Sequence, residues 1–293
     1  MSKQRENLIG YTFVLPALIV FLAFIAFPFV ASLLLSLTEW NFLSGLKGIK
    51  WVGLENFVKV FQDTSFLYAL RNTAIYTIAT VPTSILFALV LAYLLNNKVH
   101  CMKTLRMAFF VPYISSTVAL AAVFRFLFRN DGIVNSILKN VFNATSLPRW
   151  LVSEDLNKIP IILLLFWTAI GYELIVYMAA LQNVPRELYE ASTLDGATSL
   201  RQFIHITFPL ISPTTFYLVI VRMFTAFKVF SAVNIITMGT AFNSNTSMVV
   251  EIYRQAFVKY KFGYASAEAV VLFAVILIIT LIQFRGQKKW VHY

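Results

Sequence analysis

Residues 7–38 contain no Asp, Glu, Lys or Arg, and neither do residues 72–97. These uncharged runs span 32 and 26 positions, whereas about 20 residues of helix cross the hydrocarbon core of a bilayer. A water-soluble domain of 293 residues can hide one such helix but not five or six. Composition agrees: 59% of residues are hydrophobic and 13% charged, against roughly 25% charged in ordinary soluble domains. The expected fold class is an all-α, polytopic membrane protein, with residues 1–293 forming one transmembrane domain.

Six spans are expected, at about residues 8–37, 72–95, 107–128, 159–181, 206–230 and 262–284. The first carries Pro16 and Pro28, which membrane helices tolerate better than soluble ones do. It is too long for a signal peptide and no small-residue cleavage site closes it, so it is expected to stay. Trp40 and Phe42 suit an interface. Residues 229–250 also lack charge, but 237–247 are too polar for lipid contact. A short outer helix or re-entrant piece is expected there instead of a seventh span.

The net charge of +11 would suggest nucleic acid on a soluble protein. Here the basic residues sit mostly between apolar blocks, where topology and anionic lipid account for them and no nucleic-acid partner is needed. With both ends inside, the inner segments hold ten Lys or Arg in 53 residues and the outer segments eleven in 95. That is a modest positive-inside bias. Cys101, the single cysteine, excludes an intrachain disulfide and is expected on the cytoplasmic side. There is no Gly-x-x-x-x-Gly-Lys-Ser/Thr phosphate loop, no His-Glu-x-x-His and no Cys/His cluster. His100, His205 and His292 have no second ligand nearby in sequence, so no metal site and no catalytic residue is expected.

The pattern breaks most tellingly at residues 182–209. Pro185 suits the first turn of a helix, and Glu187 and Glu190 lie near the N-terminus of the helical stretch that follows. Leu188, Ala191 and Leu194 share one face. Asp195 and Gly196 turn the chain, and a second amphipathic piece leads to Pro209. This helix–turn–helix is long for a connector. It reads either as a passive interfacial helix or as a docking element for a cytoplasmic partner.

Its residues resemble the conserved cytoplasmic loop of permease subunits of bacterial binding-protein-dependent ABC importers. That loop reads Glu-Ala-Ala, three positions, Gly, nine positions, Ile, one position, Leu-Pro. Here it is Glu190-Ala191-Ser192, Gly196, Ile206, Phe208-Pro209, with Ser192 and Phe208 as the two departures, small and apolar as required. Residues 13–18, 27–40, 52–57, 182–185 and 262–266 resemble the carbohydrate-uptake branch, on the side of the maltose-type and glycerol-phosphate-type first permease subunit. A Gly-Gly-Gly-Pro stretch frequent in that family is replaced at 237–241.

The resemblance implies a subunit without enzymatic activity in the bacterial cell membrane, with cytoplasmic termini, importing sugars, most naturally oligosaccharides. It implies a second homologous permease subunit, two ATPase subunits that use ATP and Mg, an external solute-binding protein, and no cofactor on this chain. Glu190, Ala191 and Ser192 would contact the ATPase, and Gly196 would permit a turn where a side chain would clash or strain the backbone. Importers of another solute, such as a phosphorylated polyol, polyamine or peptide, remain open, as do a secondary transporter and a membrane enzyme or scaffold.

Charge within a span is costly and faces a bundle interior or a pathway. Glu173, Arg222, Lys228 and Glu268 qualify. Counting rise along upright helices separates Glu173 from Arg222 by about 10 Å in height, long for a direct pair unless the helices tilt or Arg222 reaches down. Lys228 and Glu268 make a second candidate pair. These charges either lock helices four, five and six or line the sugar route. Trp167, Tyr172, Tyr177 and Phe227 are candidate stacking faces along that route or simple packing residues.

Overall fold

The computed structural model describes residues 3–96, 102–239, 242–288, 290 and 291. Cys101, His100 and His292 lie outside the described residues. Two helices, α1 (Lys3–Phe21) and α2 (Phe27–Ser36), build the first apolar span. A two-residue antiparallel ladder, β1 (Thr38–Glu39) with β2 (Lys50–Trp51), is the only sheet among the described residues. There follow α3 (Glu55–Gln62), α4 (Thr64–Asn96), α5 (Met102–Ile114), α6 (Thr117–Leu127) and α7 (Ile133–Asn140). The chain continues with α8 (Ile159–Gln182), α9 (Arg186–Leu194), α10 (Ser199–Gln202) and α11 (Phe208–Phe227). It ends with α12 (Ser231–Ile236), α13 (Met248–Tyr253) and α14 (Phe262–Gln287).

Among the described residues, five helical stretches are long and apolar enough to cross a membrane: Gly10–Ser36, Thr64–Asn96, Ile159–Gln182, Ser199–Phe227 and Phe262–Gln287. The third expected span is not one helix. Its two halves, in α5 and α6, meet at 99°. Pro112 removes a backbone donor near the end of α5, and Ser116 leaves helical geometry at ψ 122°. The chain is thus a polytopic membrane protein of five crossing helices, or six if the bent pair counts as one span. No helix of crossing length lies within 229–250 among the described residues.

Proline also shapes the spans that do not break. A π turn at Leu22–Ala26 precedes Pro28, and another at Phe203–Thr207 precedes Pro209. In each, the carbonyl four residues before the proline lies inside the wider turn. A proline has no N–H to offer that carbonyl and its ring crowds it, so the extra residue per turn relieves the clash without breaking the helix.

The chain forms two compact units. The first comprises residues 1–66 and 252–274. None of the apolar window of its first span is buried, as suits a helix facing lipid or another protein. At the end of α2, buried Asn56 donates to Ser36 O at 2.9 Å and Thr38 O at 2.8 Å, satisfying carbonyls the helix leaves open. Gly263 packs against that corner. A Cβ there would meet Thr38 O at 2.0 Å, so only glycine lets the start of α14 approach. Trp40 and Phe42 stack around Phe262, and Tyr264 donates to Asp63 Oδ2 at 2.9 Å. The separate sequence blocks 52–57 and 262–266 therefore serve one folded corner.

The second unit comprises residues 67–251 and 275–293. One core joins Leu89, Ala92, Leu174, Tyr177, Ile211 and Leu218, and a second joins Tyr76, Ala121, Ile161, Leu164 and Val233. The polar stretch 242–247 is folded onto α4. Asn72 donates to Asn243 O and Thr246 O, Tyr76 donates to Asn245 O, and Thr73 Oγ1 accepts from Met248 N. These contacts satisfy loop backbone groups that lipid would leave unpaired.

Candidate functional site: a presented loop and a buried ion pair

Residues 186–202 form the expected helix–turn–helix. Pro185 sits one position earlier than a first-turn residue, as the N-cap of α9, with extended backbone (ψ 129°). Asp195 ends the helix, and Gly196 follows at φ +76°. Gly196 N–H donates to Thr193 O at 3.0 Å and Ala197 N–H to Ser192 O at 2.9 Å, closing carbonyls of the last turn. No atom lies within 4 Å of a Cβ built on Gly196. The glycine is therefore required for its backbone conformation and not to avoid a clash.

α10 is clamped to α9. Gln202 Nε2 reaches Ser192 Oγ at 2.9 Å, Thr193 Oγ1 at 3.0 Å and Tyr189 O at 3.3 Å. Tyr189 Oη and Thr207 Oγ1 lie 2.8 Å apart, tying α9 to the π turn, and Phe203 packs edge-on against Tyr93. Glu190 and Ala191 are left exposed and Ser192 half-buried, while Leu194 is 90% exposed. An acidic and apolar surface is thus held out on a fixed base, with a cavity of about 590 Å³ beside it lined by Tyr93, Asn96, Arg186 and Gln202. Gln202 was not among the residues singled out from sequence. Its amide type carries no signal until α9 and α10 are folded together.

In the spans, Glu173 is fully buried on α8 and Arg222 nearly so on α11. Arg222 Nε lies 2.9 Å from Glu173 Oε1, a direct ion pair. The Nε–H is turned off hydrogen-bonding alignment, and Glu173 Oε2 has no hydrogen-bond partner among the described residues. Ser84 on α4 donates to Glu173 Oε1 at 2.9 Å. The two side chains thus meet directly although rise along upright helices sets their positions about 10 Å apart in height. Helix tilt or the reach of the arginine side chain closes that gap. Three helices, α4, α8 and α11, meet at this carboxylate. Glu268 is buried in the first unit, and Lys228 ends α11 in the second.

The aromatic candidates separate. Tyr177 and Phe227 are buried, and Tyr177 Oη donates to Thr215 Oγ1 at 3.1 Å. Tyr172 stacks on Tyr113 at 5.4 Å and its hydroxyl lies 2.7 Å from that of Tyr217. Trp167 packs against Phe124 and stays 38% exposed. Tyr172 and Trp167 thus present ring surface outward, and Tyr177 and Phe227 do not. Gly171 was also missed. A Cβ there would lie 2.6 Å from Phe109 O, so it lets α8 cross α5 closely. No group of three or more metal-ligating side chains occurs among the described residues.

This combination, apolar spans interrupted by one presented polar loop, is matched among known proteins. The family described as binding-protein-dependent transport system inner membrane component matches residues 61–290, and the chain belongs to it. It is 34% identical over 296 residues to the probable ABC transporter permease protein YesP of Bacillus subtilis (strain 168), covering 100% of this chain and 94% of that one. It is 31% identical over 291 residues to the lactose transport system permease protein LacF of Rhizobium radiobacter, covering 98% and 96%. A solved bacterial ABC transporter involved in the import of the acidic polysaccharide alginate has a chain that superposes with a TM-score of 0.81 at 25% identity, covering 97% of this chain and 96% of that one. The chain is thus a multi-pass inner-membrane permease component.

Proposed function

We propose that this chain is the permease subunit of an ATP-driven ABC importer for sugars, most naturally oligosaccharides, and forms half of the translocation pathway. Relatives whose names record sugar transport support this reading. The chain itself carries no phosphate loop, so ATP and Mg belong to two separate ATPase subunits. A second, homologous permease completes the pathway, and an external solute-binding protein delivers the sugar. Both termini lie in the cytoplasm, α5 and α6 together make one broken span of six, and residues 182–209 lie on the cytoplasmic face.

The observation that carries this reading is α9, exposed on its Glu190 and Ala191 face yet fixed from behind by Gln202 and Tyr189. A passive connector has no need of that bracing. A helix that transmits a push does, because a loose one would absorb the ATPase movement. Glu190, Ala191 and Ser192 make the contact, and Gly196 sets the angle of the helix. Trp167, Tyr172, Tyr177, Glu173, Arg222 and Phe227 belong to the pathway wall. Trp167 and Tyr172 offer it ring faces, while the buried members hold it in shape.

Glu190→Ala in the assembled transporter is the test. Membrane insertion and subunit assembly are expected to persist while ATP hydrolysis ceases to drive uptake. Normal uptake by a normally assembled Glu190→Ala complex would sink the assignment.

A further inference from the structure

The second unit contains a cavity of about 230 Å³ at the end of α11. Arg222 and Lys228 both line it, and no carboxylate does. Arg222 is already answered by Glu173 at 2.9 Å, behind the lining. Lys228 is exposed, and no anion of the lining answers it. The C-terminal end of a helix favours a cation through its dipole, so the position of Lys228 alone implies no ligand. The rest of the wall is the independent observation.

That wall carries five hydroxyls, on Thr80, Thr117, Thr168, Thr225 and Ser231, and three of them have committed their protons. Thr80 Oγ1 donates to Tyr76 O at 2.7 Å, Thr168 Oγ1 to Leu164 O at 2.9 Å, and Thr225 Oγ1 to Arg222 O at 2.9 Å. A hydroxyl that has given its proton to its own helix presents lone pairs to whatever enters. Such a wall accepts hydrogen bonds through these three oxygens and donates from its two cations. It suits the O–H groups of a polyol and leaves any negatively charged group of the ligand to the cation. At about 230 Å³ the cavity is smaller than the roughly 300–1,000 Å³ of sites that enclose whole drug-sized ligands. It reads one unit of a chain.

We propose that this cavity is a selectivity subsite for an oxyanion carried on a polyhydroxylated solute, with Lys228 as the residue that reads the charge. The proposal rests on the importer reading above and adds the substrate class: an acidic sugar or a sugar phosphate. Threonine oxygens take the hydroxyls, the Lys228 ammonium takes the oxyanion, and Arg222 stays paired with Glu173.

The test uses the complete transporter, with its ATPases, second permease and binding protein, in proteoliposomes. Three probes are compared: a uronic-acid trisaccharide, its carboxyl-reduced neutral counterpart, and glycerol phosphate. Wild type is expected to take up at least one of the two anionic probes more than tenfold better than the neutral one. Lys228→Gln is expected to cut that ratio at least tenfold, and Lys228→Arg to restore most of it. Loss confined to the uronate identifies the oxyanion as a carboxylate, and loss confined to glycerol phosphate as a phosphate; either supports the proposal. An equal fall for charged and neutral probes overturns it, because Lys228 would then be structural. Should Lys228→Gln fail to assemble, the wild-type ratio decides, and a value below two overturns the subsite. Uptake of the neutral trisaccharide alone overturns the subsite and leaves the importer standing. Uptake of no probe, with no ATPase stimulation by the loaded binding protein, overturns both.

Discussion

At the scale of single residues, the Glu173–Arg222 pair is the most consequential contact in the spans. Removing one member of a buried ion pair leaves the other uncompensated, at a cost of about 3–5 kcal/mol. Removing both discards the desolvation penalty together with the attraction. Glu173→Gln and Arg222→Gln are therefore each expected to destabilise the purified complex in thermal unfolding. The double substitution is expected to cost less than the sum of the two. Strict additivity would mean that the 2.9 Å contact carries no coupling. The pairing was only half legible in the sequence. Two charges in neighbouring apolar runs signal a partner or a pathway. Which charge meets which depends on helix tilt and side-chain reach, and neither is written in residue spacing. Gly196 is the opposite case. Its place after Asp195 marks a turn in sequence, and the structure adds the reason, a φ of +76° in open space.

At the scale of elements, the same residue type had different outcomes. Pro28 and Pro209 are absorbed by π turns and their spans continue, whereas the span containing Pro112 bends by 99°. The difference is local. After Pro112 the chain reaches Ser116 in extended geometry, while after the π turns every residue stays helical. α8 and α5 meet through Gly171, where an added Cβ would fall 2.6 Å from Phe109 O. The obstacle is backbone, so the helices themselves must move apart. Gly171→Ala is expected to destabilise by about 1–3 kcal/mol, read as a lower unfolding temperature of the purified subunit. An unchanged unfolding temperature would show that the crossing is looser than the geometry indicates. No periodicity picks out Gly171, because the closeness it permits exists only once α5 is beside it.

At the scale of the whole molecule, the chain belongs to a family of transport-system inner membrane components, and its sequence holds no phosphate loop. It is expected to purify with a second permease and with ATPase subunits. ATP hydrolysis by the complex is expected to rise severalfold when the sugar-loaded binding protein is added. A chain that transports in liposomes alone would belong to another class of carrier. The first span bears on this assembly too. None of its apolar window is buried within the chain, which leaves that surface to lipid and partners.

The amino-acid sequence by itself determined that this protein lives in a bilayer, roughly where its spans fall, and that residues 182–209 form a polar helix–turn–helix between two of them. Long uncharged runs, proline and glycine positions and motif spacing are local properties, and local physics reads them. Only the tertiary structure decided that the third span breaks, that Glu173 meets Arg222 directly, that Gln202 braces α9, and that Tyr177 and Phe227 are buried while Tyr172 and Trp167 are not. Each of these depends on which helix lies next to which. In an apolar solvent almost every face of a span is hydrophobic, so the pattern that distinguishes inside from outside in a soluble helix is missing.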